Sequence, residues 1–281
     1  MKRTCLVLEG GALRGIYTCG VLDTLLKYNI KIDAVIGVSA GALFGVNYVS
    51  KQSGRGLRCV LKYLNKPDFI SVNSFIKTGN IMNKEFNFNK LIYELDKFDF
   101  DTFNKSKIKF YSVVTNLETG KAEYVLIKNI EKDIEYIRAS GSMPLVSQNV
   151  KINNNYYLDG AVADSIPVKK ALEMGYKKII VVNTRTIDYR KKKSNMFLFN
   201  KVYKDYPNFI NSYKNRYINY NKTVDYIIKE ESKNNILVIR PSEDLKVKRL
   251  ESDKEKLISL YNLGIEDTEN ILPNLINYLK R

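Results

Sequence analysis

Residues 34–43, AVIGVSAGAL, narrow the choice of fold more than any other stretch of this chain. A β-branched run ends at Gly37, Ser39 follows two residues later, Gly41 two after that, and then a small-residue helical sequence begins. This order of strand, sharp turn and helix is the setting in which Gly-x-Ser-x-Gly forms a nucleophile elbow, whose strained backbone lifts the serine hydroxyl off the sheet. Glycine suits both flanks because a Cβ at either position would collide with the neighbouring strand or helix. The alternative is a glycine-rich corner with an ordinary serine.

A second glycine-rich segment, residues 10–15, follows the apolar run 4–8 and precedes a stretch with helical spacing. Such a loop presents backbone N–H groups at a helix N-terminus, where the helix dipole favours negative charge. A dinucleotide-binding loop needs a glycine where Ala12 stands, and the Gly-Lys-Ser/Thr of a phosphate-binding P-loop is absent. We therefore interpret the segment as an oxyanion hole that serves the elbow serine.

Strands and helices alternate along the first 185 residues, and the apolar run 178–183 is typical of a parallel strand buried on both faces. This pattern predicts a three-layer α/β/α fold with a mainly parallel central sheet and an antiparallel excursion over residues 109–127. We divide the chain into an α/β domain, residues 4–185, and a basic, mostly helical extension, residues 186–281, packed on it. The extension is predicted to end in two helices broken near Gly264. Residues 54–103 form either a lid or substrate rim, or a surface insertion.

The chain is strongly basic, with a net charge of +16, which favours an anionic partner such as nucleic acid or an acidic membrane surface. A lysine-rich composition imposed by an AT-rich genome is the alternative explanation. Residues 190–222 carry nine Lys or Arg and one acidic residue. A helix that begins at Pro207 is predicted within this stretch. Its apolar positions, mostly aromatic, share one face, which either lies in a membrane interface or packs on the core. They are Tyr206, Ile210, Tyr213, Tyr217, Tyr220 and Val224.

Three cysteines without metal-ligand spacing, and no histidine, make a metal site improbable, and no cofactor is expected. No apolar run approaches the length of a membrane-spanning helix, and the run after Lys2 and Arg3 stops at Glu9, too early for an export signal. We therefore expect a cytoplasmic protein, peripheral at most at the inner membrane surface.

The absence of histidine also restricts the chemistry of Ser39, because another side chain must accept its proton. An aspartate or a lysine could do so. A free aspartate is a weak base, but a partly dry pocket raises its pKa and strengthens its hydrogen bond to the hydroxyl. Asp159 is the best candidate, because an aromatic strand delivers it to its end and Gly160 then turns the chain away.

Three motifs together, GGALRG at 10–15, GVSAG at 37–41 and DGA at 159–161, resemble the patatin-like phospholipase family in order and spacing, and residues 138–144 are also similar to that family. The resemblance covers residues 5 to about 185. It implies a Ser-Asp dyad with Ser39 as nucleophile and Asp159 as proton acceptor. It also implies roles for the glycine-rich motifs: the oxyanion hole at Gly10, Gly11 and Ala12, the supporting Arg14, and the motif glycines Gly15, Gly37, Gly41 and Gly160. The family usually has glycine at the position of Ala12, so a positive φ there would strain the loop.

Together these features predict a serine acyl-hydrolase of lipid esters, of phospholipase A, lysophospholipase or esterase type. Its partners would be a phospholipid or another acyl ester and, transiently, an anionic membrane surface. One alternative is a catalytically weakened patatin-like protein that binds a membrane or a partner. A remote one is a basic nucleic-acid-binding protein, although no RRM, zinc-finger or helix-turn-helix signature is present. The sequence does not indicate an oligomeric state.

Overall fold

The computed structural model describes residues 3–280, so Lys2 of the N-terminal basic pair lies outside the described residues, as do Met1 and Arg281. The described chain forms one eight-stranded sheet. The strands are β1 Thr4–Leu8, β2 Ala34–Val38, β3 Lys109–Asn116, β4 Ala122–Ile127, β5 Val150–Ile152, β6 Asn155–Asp159, β7 Lys178–Val182 and β8 Leu237–Ile239. Seven of them follow the order β5-β6-β3-β2-β1-β7-β8, and the eighth, β4, also pairs with β3.

The centre of this sheet is parallel: β1 pairs with β2 and β7, β2 with β3, and β7 with β8. β4, β5 and β6 form the antiparallel part. Every residue of β1, β2 and β7 is buried, as expected for parallel strands covered on both faces. Helices therefore have to cover both sides.

The helices are α1 Ile16–Lys27, α2 Ala40–Val49, α3 Arg55–Tyr63, α4 Val72–Thr78, a π-helix Phe86–Leu95, α5 Phe100–Lys105, α6 Ile130–Gly141, α7 Val168–Glu173, α8 Phe197–Val202, α9 Pro207–Ser232 and α10 Lys254–Lys280. Leu6 and Leu8 of β1 pack in a cluster with α1, α2, α3, α6 and α10. Cys5 and Val7, which point the opposite way, pack in a cluster with α7 and α9. The predicted three-layer α/β/α fold with a mainly parallel sheet is confirmed.

The C-terminal segment is one helix, α10, and the predicted break near Gly264 is wrong. A Cβ at Gly264 would lie 2.3 Å from the carbonyl oxygen of Tyr17, and one at Gly20 would lie 2.1 Å from that of Tyr261. The two glycines therefore allow the backbones of α1 and α10 to touch. The close crossing stabilises the helix more than glycine's low helix propensity, about 1 kcal/mol, weakens it.

α9 begins at Pro207 and directs its aromatic positions toward the protein. Tyr220 is buried in the cluster on the α7 side of the sheet, and Tyr213 packs in a separate cluster with Phe199 and Phe209. Of the two interpretations of this helix, packing on the core is the one that the structure supports. The extension also supplies β8 to the sheet edge, while the division of the chain at residue 185 stays a prediction.

Candidate active site

Ser39 occupies a sharp turn between β2 and α2, with φ 54° and ψ −122°. A Cβ at Gly37 would lie 2.6 Å from the carbonyl oxygen of Gly41, and one at Gly41 would lie 2.5 Å from that of Leu8 in β1. These are the collisions with helix and strand that the sequence analysis expects. The backbone N–H of Ser39 donates a hydrogen bond of 2.8 Å to Oγ of Ser140, a fully buried residue of α6. The turn is thus held by packing and by a side-chain hydrogen bond.

Asp159 lies next to Ser39 because of the way strands pair along β3. Val38, the last residue of β2, pairs with Val113, and Asp159, the last residue of β6, pairs with the adjacent Val114. β4 occupies the other edge of β3 at Val114, so β6 continues the line of β2 and meets it end to end. The ends of two strands that are 120 residues apart in sequence therefore meet at one point.

Ser39 Oγ donates a hydrogen bond of 2.7 Å to Oδ2 of Asp159, and both residues are buried. The other carboxylate oxygen, Oδ1, accepts a hydrogen bond of 2.8 Å from the N–H of Ala161. Burial raises the pKa of Asp159 above its ordinary value, and the nearby Arg216 guanidinium and these two hydrogen bonds offset part of that shift. A carboxylate with a raised pKa is a stronger base toward a hydroxyl proton.

The glycine-rich loop runs beside the serine. A Cβ at Gly10 would lie 2.8 Å from Cβ of Ser39, and one at Gly11 would lie 2.7 Å from Oγ1 of Thr184. Among residues 3–280, the N–H groups of Gly10, Gly11 and Ala12 have no hydrogen-bond acceptor. Ala12 has φ 50°, so it adopts the left-handed conformation that the sequence analysis identifies as strained, at a cost on the order of 1 kcal/mol.

Arg14 contacts this loop through its backbone, because its N–H donates to the carbonyl oxygen of Gly11 at 3.2 Å. Its guanidinium forms no hydrogen bond to the loop within the described chain, and its buried Nε has no acceptor there. The two remaining motif glycines lie at close contacts. A Cβ at Gly15 would lie 2.7 Å from Cβ of Ala40, and one at Gly160 would lie 2.2 Å from the carbonyl oxygen of Val113.

Comparison with known families shows to which family the chain belongs. The family model described as patatin-like phospholipase matches residues 6–172, which is more than half of the chain and includes the elbow and the strand that ends at Asp159. The chain belongs to the patatin-like phospholipase family. A second model, a domain of unknown function (DUF6363), matches residues 206–280.

Relatives of this patatin-like protein include lipid hydrolases. It is 30% identical over 188 residues to the uncharacterized protein YjjU of Escherichia coli, and the matched region covers 65% of this chain and 52% of that protein. It is 27% identical over 292 residues to the probable lipid hydrolase 463L of Invertebrate iridescent virus 6, covering 93% of this chain and 86% of the relative. It is 27% identical over 190 residues to the lysophospholipase NTE1 of Meyerozyma guilliermondii, covering 66% of this chain and 13% of the relative.

The chain thus spans about half the length of the Escherichia coli relative and a small part of the yeast lysophospholipase. Among solved structures, VipD from Legionella pneumophila matches with 13% identity and a TM-score of 0.47, over 97% of this chain and 67% of that one.

Two cavities of the patatin-like protein meet at Ser39. The first, of about 160 Å³, is lined mostly by apolar side chains and includes Leu43 and Phe44 of α2 and Ile134 and Ile137 of α6. Residues 54–103 supply much of its wall, namely Cys59, Val60, Phe69, Ile70, Ile81, Met82, Phe88, Leu91, Ile92, Phe98 and Phe100. This segment, which the sequence left undecided, therefore borders the candidate site.

The second cavity, of about 350 Å³, has seven charged side chains in its wall, among them Asp159, and includes the glycine loop; we call it the charged cavity. The two cavities share the residues at their junction, which are Ala12, Ser39, Ile81, Met143, Arg249 and Leu250. Among residues 3–280, no group of three or more His, Cys, Asp or Glu is placed to hold a metal ion, and no helix there has the length and apolar character needed to cross a membrane.

Sequence reasoning missed three supporting residues of the patatin-like site. Ser140 holds the elbow backbone. Glu9 holds the end of β7, because its Oε2 accepts a 2.8 Å hydrogen bond from the N–H of Thr184. Arg216 donates from Nε to the carbonyl oxygen of Ala161 at 2.6 Å. The spacing of Arg216 three residues after Tyr213 and four before Tyr220 places it on the inward face of α9, a signal that the aromatic pattern already contained.

Proposed function

We propose that the protein is a serine acyl-hydrolase of lipid esters in which Ser39 is the nucleophile and Asp159 the proton acceptor. The observation that carries the proposal is the 2.7 Å hydrogen bond between Ser39 Oγ and Asp159 Oδ2, in a buried site with unpaired N–H groups beside it. The names of the relatives, a probable lipid hydrolase and a lysophospholipase, support lipid esters as the substrate class. The apolar cavity next to Ser39 supports the same class, since it can receive an acyl chain.

The reaction proceeds in two halves. Ser39 Oγ attacks the ester carbonyl carbon while its proton moves to Asp159, and the N–H groups of Gly10, Gly11 and Ala12 stabilise the oxyanion. The tetrahedral intermediate collapses, the C–O bond to the alcohol breaks, and Asp159 returns the proton to that alcohol. Water then attacks the acyl-enzyme, Asp159 takes the water's proton, and its transfer to Ser39 releases the fatty acid.

Covalent labelling tests this proposal directly. A fluorophosphonate probe reacts with serine hydroxyls that a neighbouring base activates, so we expect one label on the native protein, in the peptide that contains Ser39. Mass spectrometry of the digested protein locates the label, and heat-denatured protein is the control that should remain unlabelled. Failure of the folded protein to react would support the alternative of a catalytically weakened binding module, for which the strained Ala12 is the specific structural reason.

The proposal includes a transient contact with an anionic membrane surface. The net charge of +16 supports it, as do exposed apolar residues on α4 and α8, such as Ile76 and Phe197. The segments that follow these two helices contact residues 143–146, which line the second cavity: the N–H of Ile81 donates to the carbonyl oxygen of Val146, and the N–H of Leu145 donates to the hydroxyl of Tyr203. The aromatic face of α9 is not available, since it packs inward.

Liposome co-sedimentation tests the contact. We expect a larger bound fraction with vesicles that contain acidic lipid than with vesicles of zwitterionic lipid, and loss of the difference at high salt, because exposed charges are screened there. Equal binding to both vesicles would show that the lysine excess reflects composition and not membrane affinity.

A further inference from the structure

The charged cavity beside Ser39 contains more cations than its own anions balance. Five cationic side chains line it, and they come from distant parts of the chain: Arg14, Arg185, Lys191, Arg216 and Arg249. The carboxylates that line it are Glu9 and Asp159. The four arginines alone exceed the two carboxylates by two formal positive charges, in a cavity that the candidate nucleophile Ser39 also lines.

Both carboxylates accept hydrogen bonds from uncharged donors. Glu9 accepts hydrogen bonds from the hydroxyl of Tyr220 and from the N–H of Thr184, both uncharged donors. Asp159 accepts from Ser39 and from the backbone of Ala161. In the described part of the chain, none of the five cationic groups forms an ion pair with a carboxylate. Within residues 3–280, no carboxylate therefore pairs directly with these cations.

Burial and the neighbouring positive charges destabilise the charged forms of two of these side chains, Arg14 and Lys191. The Nε of Arg14 is buried without an acceptor. Burial and, after it, the neighbouring Arg185 and Arg249 lower the pKa of Arg14 to about 10. Burial and, after it, the Arg216 guanidinium lower the pKa of Lys191 to about 6. Unpaired buried charge is costly, so an anion bound in the cavity would stabilise these cations.

The aromatic side chains of the cavity are already in contact with these cations. The guanidinium of Arg185 lies 4.4 Å from the ring centre of Tyr189, and Nζ of Lys191 lies 4.1 Å from that of Tyr220. A headgroup that carries its own quaternary ammonium would need a free aromatic face or a free carboxylate. The cavity offers guanidinium groups instead, whose paired N–H donors match the oxygens of a phosphate.

We propose that the charged cavity binds the phosphate of an anionic lipid headgroup while the apolar cavity holds the acyl chain, which places the ester carbonyl at Ser39 between them. This inference rests on the proposed hydrolase function and names its substrate class. A lipid whose phosphate charge is not neutralised by a headgroup amine is preferred to a zwitterionic or uncharged one. A soluble phosphate ester shares the same chemistry, and the experiment distinguishes it from a lipid.

The kinetic test compares three substrates with the same acyl chain in the same detergent micelles: lysophosphatidic acid, lysophosphatidylcholine and monoacylglycerol. We expect the wild type to have a kcat/KM for lysophosphatidic acid at least about tenfold above its kcat/KM for the other two lipids. One charge-assisted contact is enough to produce a difference of this size. In the Arg185→Gln/Arg249→Gln variant this ratio falls about tenfold or more. Arg185→Lys/Arg249→Lys should restore part of it. Lys193→Gln, an exposed lysine outside the cavity, is the matched control and should keep the wild-type ratio.

Calorimetry with glycerol phosphate separates this inference from the hydrolase proposal, because it uses the Ser39→Ala variant and needs no turnover. Binding that the two arginine substitutions weaken supports the phosphate site even if the wild type hydrolyses no ester. Hydrolysis with equal rates for the three lipids and no binding of glycerol phosphate overturns the inference and leaves the hydrolase standing. Binding of glycerol phosphate together with equal rates of hydrolysis for the three lipids also overturns it, since the cavity would then serve a soluble phosphate ester.

Discussion

Ser39→Ala should lower kcat/KM for a short-chain p-nitrophenyl ester by about 10⁴-fold or more, because the reaction loses its nucleophile and the remaining groups only polarise the carbonyl. Alanine makes no greater steric demand on the turn at φ 54° than serine does, since both have one Cβ and Gly37 and Gly41 are unchanged. The initial rate of p-nitrophenolate release measures the effect. Detergent-solubilised lysophospholipid provides a second substrate on which the same loss is expected.

The matched control for this substitution is Ser112→Ala. Ser112 is a fully buried serine of β3 in the same sheet, and its Oγ donates to the carbonyl oxygen of Tyr136 at 3.0 Å. Its loss removes a hydrogen bond but no group of the candidate site, so the rate should stay within about threefold of the wild type. An Ser39→Ala protein that retains the wild-type rate would remove Ser39 from the mechanism.

Asp159→Asn should lower kcat/KM by about 10³–10⁴-fold, because the amide keeps the size of the carboxylate and can hold the Ser39 hydroxyl but cannot accept its proton. The wild type should also lose activity as the pH falls, since the reaction needs the ionised carboxylate. Burial raises the pKa of Asp159 above the ordinary 3.8, so the loss begins at a higher pH than for an exposed aspartate. A pH profile of kcat/KM measures both effects, and the residual activity of the variant should lack this acid limb.

Asp164→Asn is the matched control for the carboxylate. Burial also raises the pKa of Asp164, which lies five residues beyond Asp159 and accepts a 2.7 Å hydrogen bond from the hydroxyl of Tyr124. This substitution should leave the rate within about threefold and the acid limb in place. If Asp159→Asn were as active as Asp164→Asn, the proposed proton acceptor would have to be a different group.

The parts of the site that the sequence predicts are those encoded locally. The elbow requires glycines at fixed offsets from Ser39, and the structure has close backbone contacts at those offsets. The absence of histidine leaves an aspartate or a lysine as proton acceptor, and Asp159 is predicted from its place at the end of a strand before Gly160. The meeting of Ser39 and Asp159 depends instead on β6 continuing the line of β2 along β3, which is a matter of strand register and has no local sequence signal.

The charged cavity could not be predicted for the same reason. Its cations come from a glycine-rich loop, from the segment after β7, from α9 and from the segment before α10, and each is one basic residue among many in a lysine-rich chain. The prediction of a helix break near Gly264 is wrong because glycine has two roles in helices. It weakens them in isolation, and it permits close approach to a neighbour.

The packing of α10 on α1 means that the fold can be completed only at the end of synthesis. α1 leaves the ribosome early, yet its outer face is buried by α10, with Tyr17 bonded to Asp267 and Tyr261 bonded to Asp23. A nascent chain that has completed β1, the elbow and β6 still exposes this face to solvent until translation has passed α10. α1 is therefore synthesised early but covered late, and the incomplete chain is the form that most needs a chaperone.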